Sequence, residues 1–129
     1  MKLNPDCIRD ILLSVEDVTD SEVSFEYDRY EDVPERLKRY SHNEVVYHIN
    51  QCDFAGLIVG LLSTDCNSYV RIRDLSPAGH EFLANIRQDS IWNKSKEISA
   101  KIGSGSLSTL MQIAINVVSD LVKGHFGIG

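Results

Sequence analysis

The chain is short of positive charge. Against 19 Asp and Glu it carries 13 Lys and Arg, a net charge of −6, which counts against a strong non-specific nucleic-acid binder. Cysteine is scarce as well. Cys7, Cys52 and Cys66 are three in number and form no C-x-x-C pair, so neither a disulfide framework nor a thiolate metal site is expected. With two of them at apolar positions, they read as reduced, buried thiols of a cytoplasmic protein. Long hydrophobic runs are missing. The longest, residues 107–122, is interrupted by Gln112, Asn116 and Asp120 and is too short and too polar to span a bilayer. The N-terminus is polar and broken by Pro5, which is no secretory signal.

Catalytic and cofactor motifs are absent too. There is no G-x-S-x-G, no phosphate-cradling G-x-x-x-x-G-K-[ST], and no G-x-G-x-x-G after a strand. His42, His48, His80 and His125 fall on separate elements without metal-ligand spacing. The paired carboxylates of residues 14–35 lie in a polar stretch without the burial that acid–base work needs. The sequence therefore predicts no enzyme, no cofactor and no metal.

What remains is a 129-residue chain, 43% apolar and 25% charged, the composition of one globular domain with a short appendage. Its charge is uneven. Residues 14–35 hold nine acids and one base, Arg29, whereas residues 36–101 hold nine bases and seven acids.

The organising stretch is residues 41–58. Ser41 and Glu44 have capping-box spacing, and Val45, Val46, Ile49 and Cys52 form an apolar helical face. Gly56 sits where a helix C′ residue belongs, and an apolar extended run opens at Leu57. Before it, Asn4-Pro5-Asp6 starts a first helix reaching about Glu16, residues 23–27 alternate as a strand, and residues 34–40 supply one or two helical turns. After it, residues 57–62 and 69–73 make a hairpin whose tip carries Thr64, Asp65 and Asn67. Ser76-Pro77 starts a long helix reaching, with a bend, about Ile102, and a final helix covers residues 107–122. The expected fold is α+β: a winged helix (helix-turn-helix with a β-hairpin wing) over residues 1–102, a glycine-serine hinge at 103–106, and a C-terminal apolar helix in 107–129.

The opening MKLNPDCIRDILL, Tyr47-His48-Ile49, Ala55-Gly56-Leu57-Ile58, the LSPAGHEFL segment from Leu75 and Ile91-Trp92 resemble a domain-of-unknown-function family of small phage- and prophage-encoded proteins. The likeness covers roughly residues 1–120. The LSPAGHEFL-plus-tryptophan segment is also similar to YjcQ-like winged-helix proteins. The resemblance implies a winged-helix fold and a mobile-element origin, with no catalytic residues.

Two surfaces follow. On the central helix, His42, Asn43, Tyr47, Asn50 and Gln51 would face a major groove, where Asn and Gln pair with adenine edges. Arg36, Lys38, Arg39, Arg71 and Arg73 would contact phosphates. On the last helix, Leu107, Leu110, Met111, Ala114, Ile115, Val118, Leu121 and Val122 exceed the single stripe of a surface helix. They suit a homo-oligomer or a protein partner. Lys123, its only base, argues against a membrane-surface helix. The first reading is a DNA-binding transcriptional regulator. Its rival is a non-enzymatic protein-protein interaction module that modulates a host or phage protein, favoured by the acidic balance and the cation-free helix.

Overall fold

The computed structural model describes residues 1–127. Its elements run α1 (Pro5–Val18), β1 (Phe25–Asp28), a 3₁₀ turn (Glu35–Leu37), α2 (His42–Phe54), β2 (Ile58–Val59), β3 (Leu62–Thr64), β4 (Tyr69–Ile72), β5 (Asp74–Leu75), α3 (Pro77–Ile86), α4 (Asp89–Ile102) and α5 (Leu107–His125). Among the described residues this is a mixed α+β fold with five α-helices and small antiparallel sheets. Its backbone divides into two compact units, one of Asn4–His80 and one of Met1–Leu3 with the described residues from Glu81 on.

In the first unit, α1 starts as its sequence demands: the Asn4 side chain accepts from the Asp6 amide at 3.1 Å, and Pro5 fills a position whose N–H would be orphaned. Cys7, Ile8, Ile11, Leu12 and Val15 form its buried face, and α1 packs on α2, the 3₁₀ turn and β5. Each fully buried Ile or Leu contributes about 1.5–3 kcal/mol relative to an exposed one. On α2, Ser41 Oγ accepts from the Glu44 amide at 3.1 Å. The Glu44 carboxylate turns to Asn4 Nδ2 at 3.4 Å, so the helix cap also ties α2 to α1. The helix ends in a Schellman motif: Leu57 N–H donates to the Cys52 carbonyl, Gly56 N–H to that of Asp53, and Gly56 takes a φ of 73°.

The hairpin is one ladder broken in the middle. Val59 faces Asp74 and Leu62 faces Arg71, three residues on along each strand, so the register does not slip. The interruption comes from Gly60, at φ 70°, which breaks the expected continuous strand into β2 and β3. At the tip Asp65, Cys66 and Asn67 are all left-handed. β1 completes a three-stranded sheet in the order β1-β4-β3, with Phe25 opposite Ile72 and Tyr27 opposite Val70. Expected as residues 23–27, this strand is displaced because the Asp20 carboxylate takes the amides of Glu22 and Val23 in a turn.

At the start of α3, Ser76 Oγ accepts from the Gly79 amide at 3.0 Å and donates to the Gly56 carbonyl at 2.5 Å. The expected bend in the following helix is a complete break, since Gln88 is extended (ψ 135°) and α4 restarts at Asp89. In the second unit α4 packs along α5, with Trp92, Leu110, Ile113 and Ala114 buried. Gly103 closes α4 in the left-handed region, and Ser106 caps α5 by accepting from the Thr109 amide at 3.1 Å. No helix among the described residues is long and apolar enough to cross a membrane.

Candidate interaction surfaces

The face of α2 expected to meet DNA is partly spent on the helix itself. Asn43 is exposed, while Tyr47, Asn50 and Gln51 are half-buried. Asn50 Nδ2 donates to the Val46 carbonyl one turn back at 3.1 Å, and the Tyr47 ring stands edge-on to His48. His48 is wholly buried with both ring nitrogens committed. Its Nε2 accepts from the Asn4 amide at 2.8 Å, so Nδ1 carries the proton and donates to the Glu44 carbonyl at 2.7 Å. The imidazole is a neutral tie between α2 and the start of α1. His42 stacks on Tyr27, and its Nδ1 shares a hydrogen bond with the phenol oxygen at 2.9 Å. Burial, then the Arg29 charge, hold His42 below the usual histidine range.

Four of the five cations expected at phosphates, Arg36, Lys38, Arg39 and Arg73, stand against acceptors or acids of the same unit. Arg36 forms an ion pair with Asp17, Lys38 with Glu35 at 2.8 Å, and Arg39 with Asp10 at 2.6 Å. The same Asp10 oxygen accepts from Tyr40 at 2.6 Å, and the Arg39 guanidinium lies 4.8 Å from the Tyr40 ring centre. Arg73 donates to the Asp20 and Ser21 carbonyls at 3.0 and 2.8 Å. Arg71 is exposed on β4, in register with Glu26 on β1. The surroundings are strongly acidic: residues 4–80 hold fifteen Asp and Glu and seven Lys and Arg, a net of −8.

The acidic block is not a flat solvated face. Between the end of α1, β1 and the segment leading into the 3₁₀ turn it encloses an open cleft of about 390 Å³. Asp17, Glu26, Asp32 and Glu35 line it together with Arg36, whose guanidinium is held by Asp17. Its apolar lining comes from Val18, Phe25, Val33 and Pro34. Sequence reasoning missed this site. The signal was Val33-Pro34 directly behind an acidic loop, an apolar step that returns the chain toward β1.

On α5, Leu110 and Ala114 are buried, Leu107, Met111 and Val118 half-buried, and Ile115, Leu121 and Val122 exposed at 44%, 56% and 49%. The two faces differ in use: Leu110, Ile113 and Ala114 turn inward, whereas Met111, Ile115, Val118 and Val122 form an outer stripe. A second cavity of about 390 Å³ lies between α4 and α5, lined by Ile91, Ile98, Val117 and Leu121 with Lys94 and Asp120. Residues 128 and 129 of the expected C-terminal segment lie outside the described residues.

Among the described residues no group of three His, Cys, Asp or Glu is placed to hold a metal ion. His80 Nε2 stands 3.9 Å from an Asp74 carboxylate oxygen on the surface.

Comparison with known proteins agrees with the resemblance to a family without an assigned function. The chain is 32% identical over 124 residues to an uncharacterized protein of Haemophilus influenzae, a match that covers 95% of this chain and 99% of that protein. No solved structure matches it. The family described as hypothetical protein (DUF2513) matches residues 2–106, and the chain belongs to that family.

Proposed function

We propose that this protein is a non-enzymatic protein-interaction module built on a winged-helix scaffold, in which α2 takes the place of the recognition helix and the β2–β5 hairpin that of the wing. A phage or prophage origin, with a host or phage protein as target, belongs to the same proposal. One observation carries it: four of the five cations of the would-be phosphate clamp, all but Arg71, are turned to carboxylates and carbonyls of a unit whose own charge is −8. Such a field repels a polyanion before any contact is made. The outer stripe of α5 supports a further part of the reading, association with a second copy of the chain.

The test is fluorescence anisotropy of a labelled random-sequence DNA duplex at about 50 mM salt, where phosphate-driven binding is strongest. No saturable binding is expected. Saturation that is lost as salt rises would overturn the module reading.

That outcome would favour a second reading, a DNA-binding transcriptional regulator. It draws support from the exposed Asn43, from the amides of Asn50 and Gln51 on the same helix, and from the hairpin that follows. Exposed ion pairs are worth only about 0–1 kcal/mol each, so phosphates can compete for their cations. Under this reading Arg71→Glu with Arg73→Glu weakens binding uniformly across sequences and flattens the salt slope.

A further inference from the structure

The groove between α4 and α5 lies wholly within the second unit, and its walls have the pattern of a bundle short of one helix. On α4, Ile91 and Ile98 are seven residues apart and so lie along one line; on α5, Val117 and Leu121 are one turn apart. Ile91, Ile98 and Val117 are half-buried and Leu121 is 56% exposed, so the two helices only partly cover this apolar lining. The space amounts to about 390 Å³, a size and a place, between packed helices, where proteins take up apolar groups. The rim is charged, with opposite signs on its two sides. Lys94 stands on α4 and Asp120 on α5, and both are exposed. Neither is in an ion pair among the described residues, and the Glu97 carboxylate on α4 is taken by Lys101 at 3.0 Å.

Two apolar rows between unmatched charges of opposite sign are complementary to a helix with an aliphatic seam, an acid on one flank and a base on the other. The Ile91–Ile98 row is about 10 Å long, which is two turns of such a helix. The outer stripe of α5 on a second copy does not meet this description. Asp120 and Lys123 are the only Asp, Glu, Lys or Arg of that helix, and neither falls at the spacing of Met111, Ile115, Val118 and Val122. A nucleic acid has no aliphatic row to offer, and a purely apolar small molecule leaves both rim charges unanswered.

Resting on the interaction-module reading, we infer that the groove between α4 and α5 receives an amphipathic helix of the partner protein, whose aliphatic seam covers Ile91, Ile98, Val117 and Leu121 and whose flanking acid and base meet Lys94 and Asp120. The seam supplies the affinity, as when other amphipathic helices enter apolar grooves. The rim charges select the partner, because a helix with one sign on both flanks sets one flank against its own charge.

The probe is the fluorescent peptide LAQLEAKLAQLEAK, two heptads with a leucine seam, glutamate on one flank and lysine on the other, titrated into the full-length protein. LAQLEAELAQLEAE and LAQLKAKLAQLKAK keep the seam and carry one sign on both flanks. The mixed peptide is expected to bind saturably and about three- to fivefold more tightly than either control, the range for exposed charge pairs. Asp120→Lys makes both sides of the rim positive and is expected to transfer the preference to the glutamate-flanked peptide. Leu121→Gln is expected to weaken all three peptides by at least about fivefold, through loss of apolar contact. An absence of saturable binding of the mixed peptide overturns the groove, as does a ranking of the three peptides that Asp120→Lys leaves unchanged. Amide chemical-shift mapping on the wild type keeps the test independent of the variants: shifts must centre on the groove residues, and shifts confined to α2 or to the outer stripe of α5 overturn the assignment while leaving the module reading standing. Saturable duplex binding in the anisotropy experiment is the separate result that removes the module reading itself.

Discussion

At the scale of single residues, the chain uses its titratable groups as structural ties. His48 satisfies the Asn4 amide from inside the core, so His48→Ala leaves that donor without its acceptor and opens a cavity. A loss of about 2–4 kcal/mol in urea denaturation is expected from the two effects together. His42 differs in being half-exposed, and its effect is read through pH. Its folded-state titration lies below that of the unfolded chain, because burial and Arg29 disfavour the imidazolium. The unfolded state therefore binds the proton first on acidification. The contribution of His42 is fully present above the unfolded value and is lost as pH falls through the folded one. His42→Phe keeps a ring against Tyr27 but removes the proton site, so the denaturation midpoint should fall less steeply between about pH 7 and pH 5, the range around an ordinary histidine. Equal slopes in the two proteins would show that His42 is not the group responsible. The cysteines sort by the same logic. Burial pushes the Cys7 thiol up to about 12 and raises that of the fully enclosed Cys52, whereas Cys66 is exposed on the hairpin tip. A thiol-specific disulfide reagent at neutral pH is expected to label Cys66 quickly and the other two only on unfolding.

At the scale of elements, local chemistry reads out well and its interruptions read out poorly. The Asn4-Pro5 start, the Ser41 cap, the Gly56 stop and the Ser76-Pro77 start are each decided within a few residues, and the structure places its helix ends on them. The break at Gly60 and the restart of α4 at Asp89 depend on which strand or helix lies opposite, which periodicity does not encode. The cleft was illegible for a related reason: its walls come from α1, β1 and the segment before the 3₁₀ turn, which meet only through the tertiary fold. The paired state of Arg36 and Arg39 was equally hidden, because Asp17 and Asp10 are 19 and 29 residues away in sequence. Gly79 shows how close such an approach can be. A Cβ there would meet the Leu57 carbonyl oxygen and carbon, backbone atoms that cannot rotate away. Gly79→Ala is expected to destabilise the fold by at least about 1–3 kcal/mol, the usual range for overpacking. Gly105→Ala, where a Cβ meets nothing within 4 Å, is the control and should unfold at nearly the wild-type midpoint.

At the scale of the whole molecule, charge is divided unevenly between the two units. The Asn4–His80 unit carries −8, while Met1–Leu3 with the chain from Glu81 on holds six bases and four acids, a net of +2. On α5 of the second unit Ile115 and Val122, both exposed, are seven residues apart and so share one face with the half-buried Met111 and Val118. This stripe is nearly free of charge; after Leu107, α5 holds only Asp120 and Lys123 besides its terminal histidine. A partner selected by charge would find no handle on it, whereas a second copy offers the same uncharged stripe and allows a two-fold pairing of identical faces. The full-length protein is accordingly expected to run as a dimer in light scattering at tens of micromolar. Ile115→Glu with Val122→Glu should give monomers of unchanged helix content, because neither side chain belongs to the buried face made by Leu110, Ile113 and Ala114. A wild-type monomer at that concentration would exclude the pairing. A variant that stays dimeric would move the contact away from the outer stripe of α5.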